Sequence, residues 1–162
     1  MNEDQNIRLD RMRYTKNTLA SGLALLAILF DVFFFISIYE SNVGSWYYNI
    51  LIGASILYNL IFLLAAFLCS EGIKNYEISY AYMMIVLGII QIVRIFIYPV
   101  TAHGTTVMIQ DAAVQVMKNG QFVRCVFYLV ASAACLFAGA VVGASRARAL
   151  KAHIASLNSQ AS

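Results

Sequence analysis

The chain has 162 residues, 61% of them hydrophobic and 12% charged, with a net charge of +3. A soluble domain sits nearer half apolar and a quarter charged, so an ordinary soluble fold is excluded, and the mean hydropathy of +0.73 points to a membrane class. The Lys and Arg residues gather mainly at the two ends with no basic stripe interleaved with aromatics, which excludes a nucleic-acid partner and fits membrane-flanking charge.

Residues 1–16 are polar, and Arg8, Asp10, Arg11, Arg13 and Lys16 suit one or two helical turns at a membrane surface. The first apolar stretch covers residues 19–39. It follows basic residues as a secretory leader would, but it exceeds the roughly 7–15 apolar residues of a leader, and Ser37-Ile38-Tyr39-Glu40 offers no small-x-small cleavage site. It is expected to stay as the first span. The linker 40–47 carries the turn formers Asn42, Gly44 and Ser45, followed by the interfacial aromatics Trp46, Tyr47 and Tyr48. The second span is expected over 48–69, and the third over 78–100 after the short polar loop 70–77. Pro99 is the only proline and stands where that helix should stop.

Residues 101–120 form the longest loop. Met108, Ile109, Ala112, Ala113, Val116 and Met117 fall on one helical face, opposite Asp111, Gln115, Lys118 and Asn119. An amphipathic interfacial helix is therefore expected, with Ile109, Ala112 and Val116 on its apolar side, Thr105 or Thr106 capping its start and Gly120 its end. A hairpin through Asn119-Gly120 is the alternative. The fourth span is expected over 122–144, followed by an alanine-rich tail, 145–162, that carries Arg146, Arg148 and Lys151.

The fold class that follows is an all-α membrane protein, a single four-helix transmembrane bundle with an interfacial helix in its third loop. Basic residues concentrate before the first span, in the middle loop at Lys74 and in the tail, so both termini are expected in the cytoplasm. Short loops, and outer loops free of N-x-[ST] acceptors, favour a bacterial inner membrane.

Asp31 and Arg94 lie inside the first and third spans, where each charge costs roughly 2.5–3.5 kcal/mol at a helix centre. Both fall outward of their span centres, at depths that differ by roughly 5 Å at 1.5 Å per residue, so an ion pair is geometrically allowed if the two helices meet. Tyr80, Met84, Leu87, Gln91, Arg94 and Tyr98 share one face of the third span, and Ser55 and Asn59 share one face of the second. Asp31, Asn59, Gln91, Arg94 and Tyr98 therefore form a candidate intramembrane polar cluster. It can be read as an ion pair that fixes helix register, as a solute, ion or proton site, or as Arg94 snorkelling outward.

The fourth span is rich in small residues, and Ala131, Cys135, Gly139 and Gly143 give it a face for close packing, either within the bundle or against another chain. Cys69, Cys125 and Cys135 form no CxxC or metal-ligand spacing, and His103 and His153 lie outside the spans, so no metal, haem or other cofactor is expected. Nucleotide-loop and hydrolase motifs are missing as well. The expected role is a non-catalytic accessory or scaffold subunit of a larger membrane complex, embedded in the bilayer and contacting other subunits or itself. A homo-oligomeric small transporter or channel with its solute at Asp31 and Arg94 is the alternative. A membrane enzyme acting on a lipid, with Asp31 or Asp111 as base, is the third reading.

Overall fold

The computed structural model describes residues 3–38, 46–109 and 112–160. The chain runs α1 (Glu3–Tyr14), α2 (Thr18–Ile38), α3 (Trp46–Lys74), α4 (Ile78–Ile97), α5 (Pro99–His103), β1 (Thr106–Ile109), β2 (Ala112–Gln115) and α6 (Asn119–Gln160). Four helical segments, Thr18–Ile38, Gly53–Lys74, Ile78–His103 and Asn119–Ser159, are long and apolar enough to cross a membrane. The turn formers of the 40–47 linker lie outside the described residues.

The spans close into a ring. α2 packs on α3 and α6, and α4 packs on the same two helices, which leaves α2 and α4 facing each other across the bundle. Small residues draw α2 and α6 together: Ala20, Ala24, Ala27 and Ala140 are fully buried. A Cβ added at Gly139 would come within 3.3 Å of the Ala20 carbonyl, and one at Gly143 would overlap Ile73 of α3. Close backbone approach of this kind substitutes for the hydrophobic effect, which does not drive helix association in lipid. Large apolar side chains such as Leu57, Leu64, Phe67, Val86, Phe96 and Val141 point outward instead, as a lipid-facing surface requires.

Several elements end differently from the sequence reading. α3 continues to Lys74 and closes with paired bonds from Tyr76 N to the Ile73 carbonyl and from Glu77 N to the Gly72 carbonyl, at 3.1 and 3.4 Å. That is the Schellman closure, and its left-handed position, normally glycine, is taken by Tyr76 at φ 61°. Pro99 ends α4 and at once begins α5, at the first turn where its missing N–H costs nothing. α6 does not stop near residue 144: it runs unbroken for 42 residues through the alanine-rich tail. The polar N-terminal segment forms the 12-residue α1, which packs on that extension.

The interfacial helix expected over 101–120 is corrected to a two-stranded antiparallel hairpin pairing Thr106 with Gln115 and Ile109 with Ala112. Ile109 and Ala112 therefore end and begin strands, and Val116 follows β2 into the outer core at 1% exposure. Neither Thr105 nor Thr106 caps a helix, and Gly120 lies in the first turn of α6 rather than at a helix end. The hairpin pairs Ile109 with Ala112, so it does not run through Asn119-Gly120, and Asp111 lies outside the described residues. β-branched Thr105, Thr106, Val107, Val114 and Val116 favour the pleated surface over a helix.

Candidate functional site

Two apolar cores fill the bundle. One gathers Ala20, Ala24, Ala27, Phe62, Met84 and Leu136 toward the end that holds both termini, and the other gathers Phe34, Ile38, Tyr98, Met117, Cys125 and Leu129 toward the hairpin end. On each helix the polar residues fall between them: Asp31 follows Ala27 and precedes Phe34, Gln91 and Arg94 lie between Leu87 and Tyr98, and Ser132 lies between Leu129 and Leu136.

Asp31 and Arg94 meet within one chain. Arg94 Nη1 donates to Asp31 Oδ1 at 2.9 Å, bridging the diagonal from α4 to α2. Gln91 Nε2, one turn before Arg94, donates to the same oxygen at 2.9 Å and lies 3.3 Å from Ser132 Oγ. Ser132 Oγ–H donates to the Ala27 carbonyl at 3.0 Å, tying α6 to α2 at the same level. Arg94 Nη2 reaches Ser55 Oγ on α3 at 2.8 Å. The guanidinium carbon sits 4.3 Å from the Phe34 ring centroid and 4.5 Å from that of Tyr58. One arginine of α4 thus touches two other spans, α2 and α3, by ion pair, hydrogen bond and cation–π contact.

The pair is electrically neutral and deeply buried, with Asp31 at 0% and Arg94 at 6% exposure. Removing two charges from water costs several kcal/mol per ion, and only good geometry with further hydrogen bonds offsets it. Here one Asp31 oxygen carries both bonds. Its other oxygen, Gln91 Oε1, both amide atoms of Asn59 and the Tyr58 hydroxyl are buried with no partner among the described residues. The layer therefore combines a well-held ion pair with a set of unused polar atoms. Asn59 is buried on the same α3 face as Phe62 and Ala66, and Tyr98 packs in the outer core one turn beyond Arg94.

The α6 face divides. Gly139 and Gly143 are buried inside the chain's own bundle, while Ala131 and Cys135 are half-buried, Cys135 lying against the inner core. Sequence reasoning missed Ser132 and Phe34 as members of the polar layer. Ser132 sits on the small-residue face two turns before Gly139, so a hydroxyl on that face was the available signal.

A second polar junction joins the helices at the termini end. Asn17, fully buried ahead of α2, donates its backbone N–H to the Lys74 carbonyl at 2.9 Å and accepts from Arg146 Nη1 at 2.9 Å. Ser21 and Ser70 hydroxyls pair at 2.7 Å, and His153 Nε2 lies 2.8 Å from Asp10 Oδ1, holding α1 to α6. No protein-family model, curated protein or solved structure matches the chain.

Proposed function

We propose that the chain is a non-catalytic scaffold or accessory subunit of a larger complex in the bacterial inner membrane, with both termini in the cytoplasm. The observation that carries this reading is α6. It leaves the bundle as one continuous helix, and residues 145–160 project about 24 Å at 1.5 Å per residue. That extension is tied to the bundle through Arg146 to Asn17 and Arg148 to Tyr82, holds α1 through Asp10 and His153, and presents Lys151, so one continuous helix carries a surface beyond the spans. Rigid presentation of a surface is what a scaffold contributes. The cross-bundle ion pair supports the same reading, because a bundle latched at its centre is suited to holding partners in register.

The test is gentle extraction from native membranes through a tag on this chain. The expected result is co-purification of other membrane proteins at fixed ratio, lost when residues 149–162 are removed while the remaining bundle stays monodisperse. A homogeneous particle of this chain alone contradicts the scaffold reading. It would favour the second reading, a homo-oligomeric transporter or channel, for which the unpartnered atoms of Asp31, Asn59 and Gln91 are the supporting observation. In that case Asp31→Asn with Arg94→Ala abolishes solute flux without loss of assembly.

A further inference from the structure

At the end that holds both termini, a hollow of about 430 Å³ opens between the α1–α2 junction, the turn after α3 and the start of the α6 extension. Met12, Thr15, Lys16, Tyr76, Ser145 and Arg146 are among its walls. Its size falls in the roughly 300–1,000 Å³ range of small-ligand sites. Lys16 lies two residues before α2, and Tyr76 lies two residues after α3 and two before α4. The hollow therefore sits at the level where spans begin and end, which in a bilayer is the boundary between hydrocarbon and head groups.

The wall is largely polar and carries two cations and no Asp or Glu. Lys16 is exposed, and no carboxylate pairs with it or with Arg146 among the described residues. The carboxylates nearby in sequence are held elsewhere, Asp10 by His153 and Glu71 by Lys74. Arg146 is oriented from behind: Nη1 donates to Asn17 Oδ1 at 2.9 Å, and Asn17 is itself fully buried and bonded to the Lys74 carbonyl. That bond uses one of the five guanidinium N–H donors, so the rest of the fork remains available. Thr15 and Ser145 already donate to the Arg11 and Val142 carbonyls, at 3.1 and 3.0 Å, which leaves the two cations as the main donors. Two unpaired cations on different elements around one hollow call for an anion, and a phosphate, which accepts several charge-assisted bonds at once, suits them.

Tyr76 supplies an independent pointer. It occupies the left-handed position of the α3–α4 turn at φ 61°, at a cost that glycine would avoid. The turn itself gains nothing from a tyrosine, whereas the hollow gains a wall: Tyr76 lines it and also lines a second hollow of about 450 Å³ beside Arg148 and Lys151. Strained residues of this kind cluster at binding sites. The bilayer side of the first hollow is apolar. Val141, one turn before Ser145 on the same face of α6, is 68% exposed, and Leu19, three residues after Lys16 in the first turn of α2, is 50% exposed. A soluble anion has no use for that surface, and acyl chains do. Basic pockets at the inner ends of spans hold anionic head groups in just this setting. We propose that this hollow binds the phosphate of one anionic phospholipid, held by Lys16 and Arg146 with Tyr76 as a wall, its acyl chains lying along Val141 and Leu19. The ligand is a lipid and not a protein, so the proposal is independent of the scaffold reading.

The test uses the full chain in dodecylmaltoside, with native mass spectrometry counting the phospholipids it retains. Dioleoylphosphatidylglycerol is the probe and dioleoylphosphatidylcholine the comparison. One phosphatidylglycerol is expected to stay bound at concentrations where phosphatidylcholine does not. Lys16→Gln with Arg146→Gln should weaken its binding about thirty-fold, the attraction of two basic residues. Arg148→Gln with Lys151→Gln removes the same charge at the same end but outside the hollow, and should leave binding nearly unchanged. Tyr76→Gly should weaken binding while raising the denaturation midpoint, a combination that loss of fold cannot give. If the Arg146 change disturbs folding, Lys16→Gln alone, at an exposed position, should still weaken binding about five-fold. Equal retention of the two lipids, equal loss in the two paired variants, or unchanged binding in Tyr76→Gly overturns the site. Displacement of phosphatidylglycerol by inorganic phosphate at equal concentration overturns the lipid and assigns the hollow to a soluble anion.

Discussion

The α2–α6 seam and the α3–α4 seam border the same polar layer but are built from opposite materials. The first sets Ala20, Ala24 and Ala27 against Gly139, Ala140 and Gly143, and a Cβ added at Gly139 would come within 3.3 Å of the Ala20 carbonyl. The second sets Tyr58 against Ile90, Val93 and Arg94 and leaves a 260 Å³ cleft. Small residues close a seam in lipid, where dispersion and polar contacts drive association, and large ones leave it open. The charge pair is held on one side through Gln91 and Ser132 and on the other through Ser55 and the Tyr58 ring. That asymmetry gives the layer one closely packed wall and one loosely packed wall.

Four substitutions sharpen the contrast, each followed by detergent-denaturation midpoint and by the reactivity of the fully buried Cys69 thiol, which unfolding exposes. The largest effect is expected for Arg94→Ala, which strands Asp31 in the bundle centre and should cost about 3–5 kcal/mol. Next is Gly143→Leu on the small-residue face of α6, where the new side chain collides with Ile73 of α3 and overpacking should cost about 1–3 kcal/mol. Tyr76→Gly at the turn that joins α3 to α4 should instead stabilise by about 0.5–1 kcal/mol, because glycine adopts φ 61° without the penalty tyrosine carries. The smallest effect is expected for Ala54→Phe on the loose seam, within about 0.5 kcal/mol of the native chain. Equal costs for Gly143→Leu and Ala54→Phe would erase the distinction between the seams.

The spans were legible because each is a long apolar run, and the polar layer was half legible because a charge in such a run stands out. What the sequence could not supply was which helices face each other. Asp31 and Arg94 sit on diagonal helices, and their contact depends on the ring order and on small residues at Ala27 and Ser132 that admit a reach across the centre. Ser55 and Gln91 were visible as polar residues on helical faces, yet their joint service to one ion pair is a tertiary fact. The hairpin was misread because Met108, Ile109, Ala112, Ala113 and Val116 satisfy a helical period over so short a stretch. The β-branched threonines and valines around them decide the outcome through pairing. The length of α6 was hidden by a change of solvent: its apolar half reads as a span and its alanine-rich half as a tail, while the backbone continues unbroken.

Asp31 and Arg94 form a latch within one chain, and a double-mutant cycle reads the coupling between them. Asp31→Leu and Arg94→Met are made singly and together, and the midpoint of unfolding is measured for all four proteins. Each single change is expected to destabilise strongly while the double change recovers most or all of the loss, giving a coupling energy that exceeds the larger single loss of about 3–5 kcal/mol. Additive effects, with the double variant as unstable as the sum of the two, would contradict it.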